Sequence, residues 1–175
     1  MASNARATPV VLTRAILIGG AALTAGAAGL VVDRHPRAAG LAGSAAAVLL
    51  LVGGHRANHG AGAHTERMLD ALLDRVWDGA VLGVIAWATR DAAPAVAGAA
   101  LVALGASFLS SYIRARGASL GYSVEESHIT RGLRYGLVVW SLLSRSPFWP
   151  LAASAMVAVL AVGVRSTQVL KEERV

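Results

Sequence analysis

The chain has 175 residues, of which 55% are apolar and 15% charged, with a mean hydropathy of +0.57 and a formal net charge of +6. So little charge and such long apolar runs exclude an ordinary soluble domain and point to an all-α integral membrane protein. The absence of cysteine excludes a disulfide framework and a thiolate metal site, and the pI near 11 reflects basic residues placed between apolar segments rather than a nucleic-acid interface.

Hydropathy predicts six spans in one bundle. The first, 10–32, follows Met1 to Arg6 without a convincing small-residue cleavage site, so it reads as a retained span rather than a signal peptide. Asp33 to Arg37 separates it from a short second span, 38–54. A polar connection from His55 to Arg67 leads into the third, 68–88, which opens on acidic residues. A tight turn, Arg90 to Pro94, precedes the fourth, 93–113. A longer polar loop from Gly117 to His128 leads to the fifth, 130–145, and Ser144 to Pro147 turns the chain into the sixth, 148–169. Nineteen glycines suit close helix approach, since small residues let backbones touch. Trp87 and Trp149, at span ends, read as interfacial anchors.

Basic residues set the expected orientation. The N-terminus, the second and fourth connections with their flanking span ends, and the C-terminus hold Arg6, Arg14, Arg56, Arg67, Arg75, Arg114, Arg116, Arg131, Arg134, Arg165, Lys171 and Arg174. The opposite side holds only Arg34, Arg37, Arg90 and Arg145. The positive-inside rule then puts both termini in the cytoplasm, with the Asp70/Asp74 end of the third span and the Arg114 end of the fourth.

The third span carries Asp70, Asp74 and Asp78 at four-residue spacing, which on a helix drifts only slowly around one face. Ionisable groups inside a membrane helix are costly unless partnered and default to a functional reading. Carboxylates at i and i+4 offer oxygen ligands to a divalent cation. Ser110 to Arg116, where the fourth span leaves the membrane, and Ile129 to Arg134, where the fifth enters it, supply arginines that suit phosphate. Plainer readings stand beside these. Asp70 and Asp74 also fit a salt-bridged helix start beside Arg67 and Arg75, Arg116 fits a snorkelling interfacial residue, and His55 and His59 fit ordinary loop histidines.

At these residues the chain resembles the CDP-alcohol phosphotransferase family, whose members move a phosphatidyl-type group from a CDP-linked lipid or alcohol to an acceptor alcohol and release CMP. The family signature is Asp-x2-Asp-Gly-x2-Ala-Arg, a spacer, then Gly-x3-Asp-x3-Asp. Asp70-x3-Asp74 matches the second half, and Arg75 to Gly79 also looks like the family. Ser111-Tyr112-Ile113-Arg114-Ala115-Arg116 resembles a segment of the actinobacterial phosphatidylinositol-phosphate synthase branch. The resemblance covers roughly residues 10–170 and implies a six-span fold with a cytoplasmic site. Asp70 and Asp74 would be metal ligands, with Asp74 the general base. Gly54 and Ala57 would lie on the nucleotide side, and Ser111, Arg114 and Arg134 would hold the acceptor phosphate. It also implies Mg²⁺ or Mn²⁺ as cofactor, a CDP-lipid or anionic phospholipid as ligand, and a homodimer or a heterodimer with an active relative.

The first half of the signature departs from the pattern. Aligning Gly54 and Ala57 with the family glycine and alanine puts Leu50 and Gly53 where two aspartates belong, Asn58 at the arginine, and Glu66 at the glycine before Asp70. No acidic residue lies between Asp33 and Glu66. In the implied two-metal site, four carboxylates balance two divalent ions, so two carboxylates would leave about two positive charges uncompensated at membrane depth. Glu66 and Asp78 are candidate replacement oxygen ligands. His55, His59 and His64 are candidate nitrogen ligands, better suited to Mn²⁺ or Zn²⁺ than to Mg²⁺. The expectation is a family fold with an impaired centre, needing a divalent ion if active and none if not.

Overall fold

The computed structural model describes residues 4–59, 64–122 and 128–172. Among them it has six helices and no strand: α1 (Asn4–Val32), α2 (Pro36–His59), α3 (His64–Thr89), α4 (Pro94–Ser119), α5 (His128–Leu143) and α6 (Phe148–Glu172). Each expected span has its helix, but several helices outrun the apolar window. α2 continues from 54 to His59, α3 starts at His64 rather than 68, and α4 continues from 113 to Ser119. Hydropathy sees only the apolar part of a helix, whereas backbone hydrogen bonding carries on through polar turns.

Four segments are long and apolar enough to cross a membrane: Val10–Val32, Pro36–Asn58, Pro94–Ser119 and Phe148–Leu170. α3 carries acidic residues along its first half, and α5, at 16 residues, reaches about 24 Å against a hydrocarbon core of about 30 Å.

Local chemistry sets the helix ends. Pro36 and Pro94 open α2 and α4, where the missing N–H costs nothing and the fixed φ suits the first turn. α1 stops at Arg34, whose φ of 61° is left-handed, with His35 N donating to Leu30 O at 2.8 Å. α4 stops in the same way at Gly121 (φ 90°), with Tyr122 N donating to Gly117 O at 3.0 Å. Both are the six-to-one closure that satisfies orphan carbonyls at a helix end.

The chain divides into two compact units, Met1–Val84 and Ile85–Val175. In the first, α1 packs along α2 through a seam with heptad spacing. Thr13, Leu17, Gly20, Thr24 and Ala27 are buried on α1; Ala39, Gly43, Ala46, Leu50, Gly53 and Ala57 are buried on α2. Most of these are small, as expected where helices meet without a hydrophobic driving force. In the second unit, α4 and α5 both pack on α6, with Ala100, Ala103, Ser107 and Ser110 buried on α4 and Tyr135, Val138 and Leu142 buried on α5. Outward faces are apolar: Leu12, Ile18, Leu41, Val48, Leu101 and Leu160 are all exposed. Trp87 and Trp149 are exposed too, with the Arg90 guanidinium 3.8 Å from the Trp87 ring centroid.

Candidate functional site

α3 is an inside-out helix. Glu66, Asp70, Asp74 and Asp78, one every four residues, are all buried, at 0–5% exposure. Met68, Leu72 and Val76, between them, are exposed. A helix with acids inward and aliphatics outward suits lipid outside and protein inside. The expected acidic face is therefore present, and it includes Glu66.

Each carboxylate is engaged by protein. Glu66 Oε1 accepts from Arg14 Nε of α1 at 2.6 Å. Asp70 Oδ2 accepts from Asn58 Nδ2 of α2 at 3.2 Å, while the same amide donates to Gly54 O at 2.8 Å. Arg75 pairs with Asp74 and, at 3.1 Å, with Asp78. Charge-assisted bonds of this kind offset the cost of burying a carboxylate, and losing one partner of a buried pair typically costs about 3–5 kcal/mol. Arg67, the other partner expected for the acids, instead contacts His64 Nδ1 at 3.1 Å.

The α2 positions opposite in the signature are apolar and closed. Leu50 is buried against α1, where a Cβ built on Gly20 would lie 2.9 Å from its Cγ and Cδ2. Gly53 faces Leu17, and a Cβ there would lie 2.7 Å from Leu17 Cδ2. Gly54 and Ala57, expected on the nucleotide side, are also buried. His55 is exposed, and the side chain of His59 lies outside the described residues. Among the described residues, no three His, Cys, Asp or Glu side chains gather as a metal-binding group. With no carboxylate on α2 and packed leucines in that place, the residues present do not fit a two-ion centre.

The second unit holds a basic face. Arg131 and Arg134 of α5 and Arg165 of α6 are buried, while Ile129, Leu133 and Val164 beside them are exposed. Arg134 Nη2 donates to Ser107 Oγ at 2.8 Å. Arg165 Nη1 donates to Ser110 Oγ at 2.6 Å and to Ser110 O at 3.0 Å. Of the expected phosphate residues, Arg134 is on this buried face, Arg114 is half-buried, and Ser111 is half-buried with its neighbour Ser110 taking the inward position. One residue along a helix is a turn of 100°, so the motif's serine pair splits between two faces. Sequence reasoning missed Ser107 and the structural part of Arg165, and it named Ser110 and Asn58 without the bonds they make. The available signal for Arg165 was a cation inside an apolar span. Between α4 and α6 a cavity of about 300 Å³ is lined largely by apolar side chains, with Arg116 among them.

Fold and polar faces together define a multi-pass helical membrane protein with its charge turned inward. No protein-family model matches the chain. It is 36% identical over 116 residues to a phosphatidylinositol phosphate synthase of Corynebacterium glutamicum, covering 63% of this chain and 53% of that protein. It is 33% identical over 124 residues to the phosphatidylinositol phosphate synthase of Mycolicibacterium smegmatis, covering 69% of this chain and 56% of that protein. The chain thus spans about half the length of these curated relatives. Its fold matches the Mycobacterium tuberculosis phosphatidylinositol phosphate synthase PgsA1 with CDP-DAG bound, at a TM-score of 0.70 and 22% identity, covering 92% of this chain and 85% of that one. It matches the same enzyme in complex with manganese and citrate at a TM-score of 0.69 and 22% identity, covering 93% and 82%. The chain is thus similar in sequence to actinobacterial phosphatidylinositol phosphate synthases over part of their length, and it has the fold of one of them.

Proposed function

We propose that this protein is a catalytically impaired member of the CDP-alcohol phosphotransferase family, acting in phospholipid metabolism as an accessory or lipid-binding subunit. The observation that carries the reading is the pair Leu50 and Gly53, which stand at the first two signature aspartates and are packed against α1. Two-metal phosphoryl chemistry needs carboxylates from both halves of the signature to balance the ions. Here only the α3 half is acidic.

The basic face of the second unit supports retained binding of a phosphorylated ligand. Arg134, held by the Ser107 hydroxyl, is an oriented donor for a phosphate, and the resemblance reads Arg134 and Arg114 as the residues for the acceptor phosphate. A CDP-lipid or an anionic phospholipid is the ligand class this reading takes. A homodimer, or a heterodimer with an active relative, is the assembly it implies. Both termini and the polar faces are assigned to the cytoplasmic side of the plasma membrane, on the distribution of arginines between connections.

The test is CMP release from CDP-diacylglycerol by the pure protein with Mg²⁺ or Mn²⁺, alone and with co-purifying proteins. No release alone is expected. Robust metal-dependent release by the pure protein sinks the reading.

The alternative is an active transferase with a rebuilt centre using Glu66, Asp70, Asp74 and Asp78 and a divalent ion, with Asp74 as general base. The burial of all four acids along one face of α3 favours it. It requires that Asp74→Asn abolish CMP release while the protein stays folded.

A further inference from the structure

Leu17, Gly20, Leu50 and Gly53 form a reciprocal clasp. Leu17 of α1 covers Gly53 of α2, and Leu50 of α2 covers Gly20 of α1. The glycines are what let the two backbones approach. A Cβ at Gly53 would lie 2.7 Å from Leu17 Cδ2, 2.9 Å from its Cγ and 3.3 Å from Ile16 Cγ2. Leu17 is fully buried, so it has no open space to swing into. An aspartate at position 53 therefore needs the place Leu17 occupies. One at position 50 would put a carboxylate into a seam of leucine and glycine.

The same helix also reaches α3. Arg14 lies one turn before Leu17, and its Nε donates to the fully buried Glu66 at 2.6 Å. Glu66 stands at a signature glycine, so the acid of this ion pair is an addition to the family pattern. α1 thus grips α2 by shape through Leu17 and α3 by charge through Arg14. A divalent centre liganded by carboxylates of α2 and α3 would perform the same mechanical task of joining those two helices.

We propose that this clasp, with the Arg14–Glu66 bridge, has taken the place of a divalent-ion centre in the first unit. That half of the protein is then held together without metal, and carboxylates cannot be restored at positions 50 and 53 while Leu17 stays in place. This rests on the proposed reading only in taking Leu50 and Gly53 as the positions of the missing ligands.

The experiment uses the full chain in detergent or nanodiscs, with two readouts: thermal unfolding by tryptophan fluorescence and Mn²⁺ binding by electron paramagnetic resonance. The wild type is expected to melt at the same temperature in EDTA and in Mn²⁺. Leu50→Asp/Gly53→Asp is expected to gain no Mn²⁺ binding and to melt about 10 °C lower, since overpacking and a buried charge both act. Adding Leu17→Ala is expected to recover part of that loss. Should the double variant not accumulate, Gly53→Ala alone is expected to melt about 5 °C lower, against no loss for Gly83→Ala, where a Cβ meets nothing within 4 Å. Arg14→Gln is expected to lower the melting temperature, and Arg14→Gln/Glu66→Gln to recover most of it. The proposal is overturned if Mn²⁺ raises the wild-type melting temperature by several degrees, if the two-aspartate variant is as stable as wild type, or if Gly53→Ala behaves like Gly83→Ala. CMP release by the wild type would overturn the proposed function through a different measurement, leaving these outcomes to decide the clasp.

Discussion

Arg165 Nη1 donates to both oxygens of Ser110, the hydroxyl at 2.6 Å and the main-chain carbonyl at 3.0 Å, and so joins α6 to α4 across 55 residues of sequence. The guanidinium is buried, and a hydrogen bond to a charged group contributes about 1.5–3 kcal/mol. Arg165→Ala is expected to destabilise the second unit by about 3 kcal/mol or more, and Ser110→Ala by about 1.5–3 kcal/mol. Arg165→Lys keeps the charge but loses the planar fork, and falls between wild type and Arg165→Ala. Thermal unfolding of the purified variants reads the order directly; equal stability of all four proteins would contradict it.

Arg134 is the residue on which ligand binding is read. If its face holds a phosphorylated ligand, Arg134→Gln weakens association with an anionic or CDP-linked lipid about 10–100-fold, the equivalent of one or two charge-assisted bonds. The exposed Arg116→Gln leaves affinity within about twofold, as a solvent-screened charge should. Native mass spectrometry of lipid adducts, or liposome flotation, distinguishes the two variants.

Asn58 bridges α2 to α3. Its amide donates to Gly54 O and to Asp70 Oδ2, so Asn58→Ala removes a donor from a buried carboxylate at a cost of about 1–3 kcal/mol. Asn58→Asp sets two carboxylates within hydrogen-bond reach of each other and is expected to cost more than Asn58→Ala at pH 7. Its deficit should shrink as the pH falls and one of the pair takes a proton. A melting-temperature series from pH 5 to pH 8 checks the sign.

Two glycines of α1 make an internal control. A Cβ at Gly20 would come within 2.9 Å of Leu50, whereas one at Gly26 meets nothing within 4 Å. Gly20→Ala is expected to cost about 1–3 kcal/mol through overpacking, and Gly26→Ala to gain about 0.5–1 kcal/mol by restricting the unfolded chain. If the two substitutions shift the melting temperature equally, the close approach at Gly20 is wrong.

Much of this fold is legible in the sequence, because apolar runs announce membrane helices and prolines mark two of their starts. The acidic face of α3 was legible for the same kind of reason: a four-residue spacing is a local property, and Asp70, Asp74 and Asp78 needed only a helix to align. The loss at Leu50 and Gly53 was visible too, once the signature was laid on the chain. What the sequence hid were the pairings. Arg14 with Glu66 and Arg165 with Ser110 lie 52 and 55 residues apart, and periodicity carries no information about which inward faces meet. The motif points to Ser111 rather than Ser110 because it names residues in order, while burial follows rotation about the helix axis. The reason for glycine at position 53 likewise lies in another helix, at Leu17.

The inside-out pattern of α3, α5 and α6 also bears on biogenesis. A charged residue at the centre of a membrane helix costs about 2.5–3.5 kcal/mol at insertion, so α3 and α5, which are not among the four segments long and apolar enough to cross, arrive less willing to enter lipid than the other four. Chain order eases that entry. Asn58 emerges before Asp70, Ser107 before Arg134, and Ser110 before Arg165, so in each of these pairs the neutral partner is made first. Arg14 likewise precedes Glu66. In these pairs the ribosome therefore delivers the later charge to a bilayer already holding the group that receives it.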